Sequence, residues 1–70
     1  MKHIDSPMAG TVWKIVKAPG GSVDFGDTVA ILESMKMEIP VESSHSGTIA
    51  EILVKEGDVV DEGTVIARLA

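Results

Sequence analysis

The chain has 70 residues, a formal charge of −5 at pH 7 and no cysteine. Its length predicts a single domain from residue 1 to residue 70, and the lack of thiols excludes disulfides, thiolate metal sites and cysteine nucleophiles. The acidic balance and the lack of a long apolar run argue against binding to nucleic acid or insertion into a membrane. A lone lysine followed by mixed polar residues is unlike a secretory signal, so a cytoplasmic location is expected.

The composition favours strands joined by tight turns, because valine and isoleucine are frequent and glycine recurs between apolar runs. The predicted strands, in chain order, are Lys2–Asp5, Thr11–Val16, Thr28–Ser34, Met37–Val41, Thr48–Val54 and Thr64–Leu69. Short extended pieces are expected around Ser22-Val23 and Val59-Val60, and turns at Gly20-Gly21 and Gly26-Asp27.

The run Thr11–Val16 does not alternate cleanly between apolar and polar residues, since Val12, Trp13, Ile15 and Val16 are all apolar. Such a run indicates either a β-bulge or a strand buried on both faces, and both alternatives stay open. Trp13 is the one large aromatic residue of the chain, and we expect it in the core.

The second half of the chain repeats the first at an offset of 37 positions. Gly10-Thr11 falls on Gly47-Thr48, Gly20 falls on Gly57, and Gly26 falls on Gly63. Two copies are too few for a solenoid, which needs about three units or more to bury its faces. We therefore expect two β units related by a pseudo-twofold axis, each covering the apolar face of the other.

The segment that joins the two copies places Met35-Lys36 between two strand-forming runs. This turn contains none of the Asn, Gly, Asp or Pro residues that tight hairpins favour. A lysine at a hairpin tip presents its amine to water, where an enzyme can acylate it. The alternative is a solvated turn lysine without function, but the flanking Met35 and Met37 point to contact with a partner.

The run Glu33-Ser34-Met35-Lys36-Met37-Glu38-Ile39-Pro40 resembles the attachment motif of the biotinyl (biotin carboxyl carrier) domain family. The resemblance covers essentially the whole chain, including the opening Ser6–Gly10 and the glycine-containing passages of both halves. It implies an all-β flattened barrel, or barrel-sandwich hybrid, of two four-stranded antiparallel sheets. It also implies that Lys36 lies at the exposed turn of one sheet and that both termini lie near the other.

The resemblance further implies a role for each residue of the turn. A biotin protein ligase would attach biotin covalently to Lys36, and Met35 and Met37 would be flanking recognition residues. Glu33 and Glu38 are candidate ligase contacts that are expected to point to solvent and help a partner to set its orientation. The biotinylated domain would then carry a carboxyl group from a biotin carboxylase site to a carboxyltransferase site, without catalysing either reaction.

The sequence departs from the common pattern of this family in three places. Ser34 stands where alanine is usual, and Gly21 stands where an aspartate often follows a glycine. The chain also lacks the inserted segment of some bacterial carrier subunits. That absence argues against the dedicated carrier subunit of the multisubunit acetyl-CoA carboxylases.

The sequence also allows other functions for the chain. A lipoyl carrier domain has the same fold and turn, so lipoate stays open as a minor alternative, although Met35 and Met37 match the biotinyl form. An unmodified sandwich-hybrid interaction module would have no need for the Met-Lys-Met sequence. An enzyme or a metal site has little support, because His3 and His45 lie at no recognised spacing, and His45 is expected to be solvated in its turn.

Overall fold

The structure is a computed structural model that describes residues 2–70. Its strands are β1 (Lys2–Asp5), β2 (Gly10–Ile15), β3 (Ser22–Val23), β4 (Thr28–Ser34), β5 (Met37–Glu42), β6 (Gly47–Ile52), β7 (Val59–Val60) and β8 (Val65–Leu69). Each predicted strand is present, with its ends within two residues of the expected bounds. Within residues 2–70 there is no helix long and apolar enough to cross a membrane.

The strands form two four-stranded antiparallel sheets. The tip sheet has the order β5-β4-β2-β7 and contains the hairpin around Lys36, whereas the terminal sheet has the order β1-β8-β6-β3. Each copy of the repeat gives its short strand to the sheet of the other copy, since β3 pairs with β6 and β7 pairs with β2. At the end of the terminal sheet, Lys2 pairs with Leu69. The expected two-sheet, pseudo-twofold architecture is therefore confirmed.

An aliphatic core fills the space between the sheets and follows the repeat. Buried residues occur as equivalent pairs from the two copies: Val12 with Ile49, Val23 with Val60, Val29 with Ile66, Ala30 with Ala67, Leu32 with Leu69, and Ile4 with Val41. Burying a valine, leucine or isoleucine side chain contributes about 1.5–3 kcal/mol. In a chain of this size without disulfides, this shared core is what holds the hairpins in place.

A β-bulge at Trp13 explains the broken alternation of β2. The register of β2 against β4 shifts between Val12 and Lys14, so Trp13 is an extra residue in the strand. Val12 is buried, whereas Trp13 is 49% exposed and lies outside the core. The expectation of a core tryptophan is thus wrong, because the bulge leaves Trp13 on the outer face beside Lys14.

The turns at Gly26 and Gly63 tie the two copies together. Both glycines have φ of 88°, a value that residues with a Cβ rarely adopt. The amide of Gly26 donates to the carbonyl of Ser43 at 2.8 Å, and the amide of Gly63 donates to the carbonyl of Ser6 at 2.9 Å. Ser6 and Ser43 are buried, so each turn is bonded to a buried residue of the other copy.

Gly26→Ala should lower the free energy of unfolding by about 1 kcal/mol or more, because the positive φ is strained for any residue with a side chain. No atom lies within 4 Å of the added Cβ, so a clash cannot cause the loss. The matched control is Gly47→Ala, whose Cβ would make an ordinary 3.6 Å contact with Leu69 Cδ1 at a φ outside the left-handed region. Urea unfolding that finds both variants as stable as the parent would contradict the turn assignment.

Gly21→Asp should raise the free energy of unfolding by about 0.5–1 kcal/mol. At the equivalent position, the carboxylate of Asp58 accepts the amide of Lys55 at 2.9 Å. The backbones match, since the amides of Gly21 and Asp58 both donate to the carbonyl three residues earlier at 3.0 Å. The control is Gly21→Ala, which restricts the unfolded chain and places the same Cβ 3.1 Å from the carbonyl oxygen of Ala18, without adding a carboxylate. The aspartate variant should unfold at a higher temperature than the alanine variant. The reverse order would show that the added carboxylate forms no stabilising hydrogen bond.

Candidate functional site

The tip of the β4–β5 hairpin is a two-residue turn. Ser34 pairs with Met37 as the last rung, which leaves Met35 and Lys36 as the loop. Met35 has φ of 51° and Lys36 has φ of 64°. Positive φ at both central positions is the arrangement of a type I′ turn, whose twist matches that of the paired strands. The prediction of a turn at Met35-Lys36 is confirmed.

Met35 and Lys36 are the only residues other than glycine with positive φ within residues 2–70. Such backbone conformations cost about 1–3 kcal/mol per residue and persist only where the surrounding structure fixes them. Here the hairpin arms fix them: Glu33 pairs with Glu38 and Leu32 pairs with Ile39 below the last rung. Leu32 is fully buried in the core, so the packing of the sandwich holds the strained turn.

The side chains of the turn are presented to solvent. Met35 is 90% exposed and Met37 is 59% exposed, and Lys36 is exposed between them. The ion pairs within residues 2–70 join Lys17 to Asp27 and Arg68 to Glu51, so neither of them uses Lys36. The Lys36 amine is therefore available to a partner that approaches the tip.

Two carboxylates lie directly behind the turn. Glu33 and Glu38 face each other across the hairpin, and both are exposed. Like charges directly opposite on neighbouring strands destabilise a sheet, and no ion pair of the described residues relieves this one. The structure thus brings the two glutamates singled out in the sequence to one rung beside Lys36.

Gly10 supports the tip in a way that the sequence analysis did not identify. A Cβ at Gly10 would lie 3.1 Å from the carbonyl oxygen of Glu33 and 3.5 Å from the Cβ of Ser34. Glycine therefore lets β2 approach the hairpin arm closely, just below the turn. The repeat shows that Gly10 and Gly47 are equivalent, but this contact is visible only in the folded chain.

The histidines lie outside the β4–β5 hairpin that carries the turn. His3 is exposed on β1, and His45 is only partly exposed, with its amide donating to Ser43 Oγ at 3.2 Å. His45 is thus less solvated than expected. Residues 2–70 contain no group of three or more histidines and carboxylates arranged for a metal ion. They also contain no pocket for a small molecule.

Comparison with known proteins identifies relatives across the whole domain. A family profile described as "Biotin-requiring enzyme" (Biotin_lipoyl) matches residues 2–69. The protein named "Biotin/lipoyl attachment protein" of Bacillus subtilis is 49% identical over 63 residues, which cover 90% of this chain and 86% of that protein. The similarity to the Bacillus subtilis protein therefore extends over most of both chains.

Much longer proteins contain a similar segment. The "Biotin-dependent acyl-coenzyme A carboxylase alpha3 subunit" of Mycobacterium leprae is 42% identical over 66 residues, covering 94% of this chain and 11% of that protein. The crystal structure of Kluyveromyces lactis urea carboxylase matches with a TM-score of 0.91 at 39% identity, covering 99% of this chain and 6% of that one. The predicted fold and the non-catalytic carrier class are confirmed, and the chain belongs to the biotin/lipoyl attachment domain family.

Proposed function

We propose that a biotin protein ligase attaches biotin to Lys36 through an amide bond. The biotinylated domain then carries a carboxyl group from a biotin carboxylase site to a carboxyltransferase site. The observation that carries this proposal is the turn itself: an exposed lysine between two exposed methionines, in a strained conformation that the hairpin imposes. Backbone strain of this kind is concentrated at functional sites.

The chain contributes positioning to this function. The amide joins Lys36 Nζ to the biotin carboxyl carbon, which loses one C–O bond; overall the ammonium and the carboxylate condense with release of one water, after the ligase has activated the carboxyl group. The chain loses one positive charge, so its formal charge falls from −5 to −6, that is −5 − 1. Biotin supplies the group that holds the carboxyl. The rigid sheet fixes the base of the arm, and the flexible arm keeps its end at high effective concentration near two successive sites.

The relatives support the biotin-dependent role. Carboxylases of the alpha3-subunit and urea carboxylase type each contain a segment similar to nearly all of this chain. In the proposed encounter with the ligase, Met35 and Met37 contact it on both sides of the amine. Glu33 and Glu38 face basic groups of the ligase, because paired carboxylates favour a positively charged partner surface.

Lipoate is a second candidate for the same amine. The Bacillus subtilis relative is named for both groups, and it is 49% identical to this chain. Because Lys36 has one amine, biotin and lipoate compete for it, and a molecule that carries one cannot carry the other. The intact mass of protein treated with either ligase distinguishes the two groups, since each adds a different mass.

Lys36→Arg should abolish attachment while leaving the fold intact, because arginine keeps the positive charge but has no amine that forms this amide. The test is avidin capture and intact mass after expression with a biotin protein ligase and biotin. Lys2→Arg is the control, since Lys2 is an exposed strand lysine of the terminal sheet, and this variant should be captured like the parent. Capture that persists in Lys36→Arg would exclude Lys36, and an unmodified parent would favour the unmodified interaction module.

Met35→Gly should stabilise the domain by about 1 kcal/mol, because glycine relieves the strain of a positive φ. That gain corresponds to a rise of roughly 4–8 °C in Tm for a domain of this size. Biotinylation should nevertheless slow down, because the ligase loses a methionine contact. The matched control is Met37→Gly, which lies in a strand and should lower Tm instead. A Met35→Gly variant that melts below the parent would contradict the strained turn.

A further inference from the structure

The outer faces of the two sheets can be compared position by position, because the repeat gives them the same pairing. On the tip sheet, Ile31 pairs with Pro40, and at the equivalent place on the terminal sheet Arg68 pairs with His3. The next rungs also correspond, since Lys14 pairs with Ile31 and Glu51 pairs with Arg68. Differences between these faces therefore come from the side chains and not from the backbone.

The tip sheet is apolar where the terminal sheet is polar or small. We define the apolar patch as Trp13, Ile31, Pro40 and Val59, whose counterparts 37 positions away are Ala50, Arg68, His3 and Ser22. Trp13 is 49% exposed and Val59 is 79% exposed. On the terminal sheet, Arg68 forms an ion pair with Glu51. The same framework thus folds with polar or small residues at these positions, so core formation does not require the apolar patch.

The apolar patch is bordered by the acidic rung on the side of the turn. Glu33 lies two residues beyond Ile31 on β4, and Glu38 lies two residues before Pro40 on β5. Residues two apart on a strand share a face, so both carboxylates lie on the outer face of the tip sheet. From Ile31 the strand needs about 13 Å to reach the turn at Met35. The apolar patch, the exposed Lys14 that pairs with Ile31, and the acidic rung therefore share the outer face of the tip sheet. The turn that contains Lys36 lies at the end of this face.

We propose that the apolar patch is a docking surface for the biotin protein ligase. The surface of the ligase that contacts the apolar patch then has an apolar centre. Basic groups of the ligase lie on the side that meets Glu33 and Glu38. The charge complementarity follows from the acidic rung, whose two opposed carboxylates gain a positive partner only in the complex. Exposed apolar groups rimmed by charge are typical of protein contact sites. This inference rests on the proposed attachment to Lys36.

Among the proposed partners, the ligase depends most on the protein surface to recognise its target lysine. The chain contains further lysines at Lys2, Lys14, Lys17 and Lys55. Before attachment there is no biotin on the domain, so the ligase must distinguish Lys36 from chemically identical amines by the protein surface alone. The carboxylase partners act on a domain that already carries biotin, and they have that group itself as a recognition element.

The test is the steady-state rate of ligase-catalysed biotinylation, measured as the concentration of unmodified domain is varied. Trp13→Ala and Val59→Ser each introduce the residue that the fold already carries at the equivalent position of the terminal sheet. We expect each variant to raise KM for the domain about tenfold, while kcat stays within about twofold. The matched control is His3→Ala, the counterpart of Pro40 on the polar face, which should leave KM unchanged.

Three accompanying measurements distinguish a loss of docking from a loss of folding or of the reactivity of Lys36. Thermal unfolding verifies that each variant folds, and Pro40→His, which introduces the residue found at the equivalent position 3, replaces any variant that does not. Complete modification of the variants at high protein concentration would show that Lys36 itself stays competent. Raising the salt concentration should raise KM for the parent, since screening weakens the attraction between the acidic rung and basic groups.

KM values equal to the parent in folded Trp13→Ala and Val59→Ser would overturn the docking surface. An equal rise in His3→Ala would overturn it too. A parent dimer that Trp13→Ala converts to a monomer would assign the apolar patch to a second copy of the chain instead. None of these results affects the attachment proposal, which fails only if the parent domain is not modified at Lys36.

Discussion

The functional geometry depends on one backbone constraint: two consecutive residues with side chains, Met35 and Lys36, are held at positive φ. An isolated hairpin is marginally stable in water, and this turn lacks the residues that relieve its strain. The pairing of the hairpin arms and the burial of Leu32 in the core impose the conformation of the turn. The sandwich core thus stabilises a strained tip, and the tip presents Lys36 in a fixed position.

The repeat makes it possible to separate what the fold needs from what the function needs. Features present in both copies, such as the glycine turns, the buried serines and the aliphatic core, maintain the architecture. Features present on one sheet only are the long hairpin, the acidic rung and the apolar patch. These features lie on the tip sheet, on the same side of the molecule as the lysine.

Much of the fold could be predicted, because β-branched runs, glycine turns and an internal repeat all indicate the same architecture. The exposed turn at Met35-Lys36 could also be predicted from its place between the copies. Trp13 could not be placed correctly, because a bulge reverses the inside–outside alternation without a distinctive residue pattern. The role of Gly10 depends on its approach to the Glu33 carbonyl, a contact between residues far apart in sequence.

The imposed turn is tested most directly by comparing the whole domain with a free peptide of residues 29–42 as ligase substrates. If the sandwich imposes the turn, the peptide rarely adopts it, and the competent fraction limits the rate. We expect a kcat/KM for biotinylation of the peptide about a hundredfold below that of the domain. A peptide modified as efficiently as the domain would show that the Met-Lys-Met sequence suffices and that the imposed turn is not required.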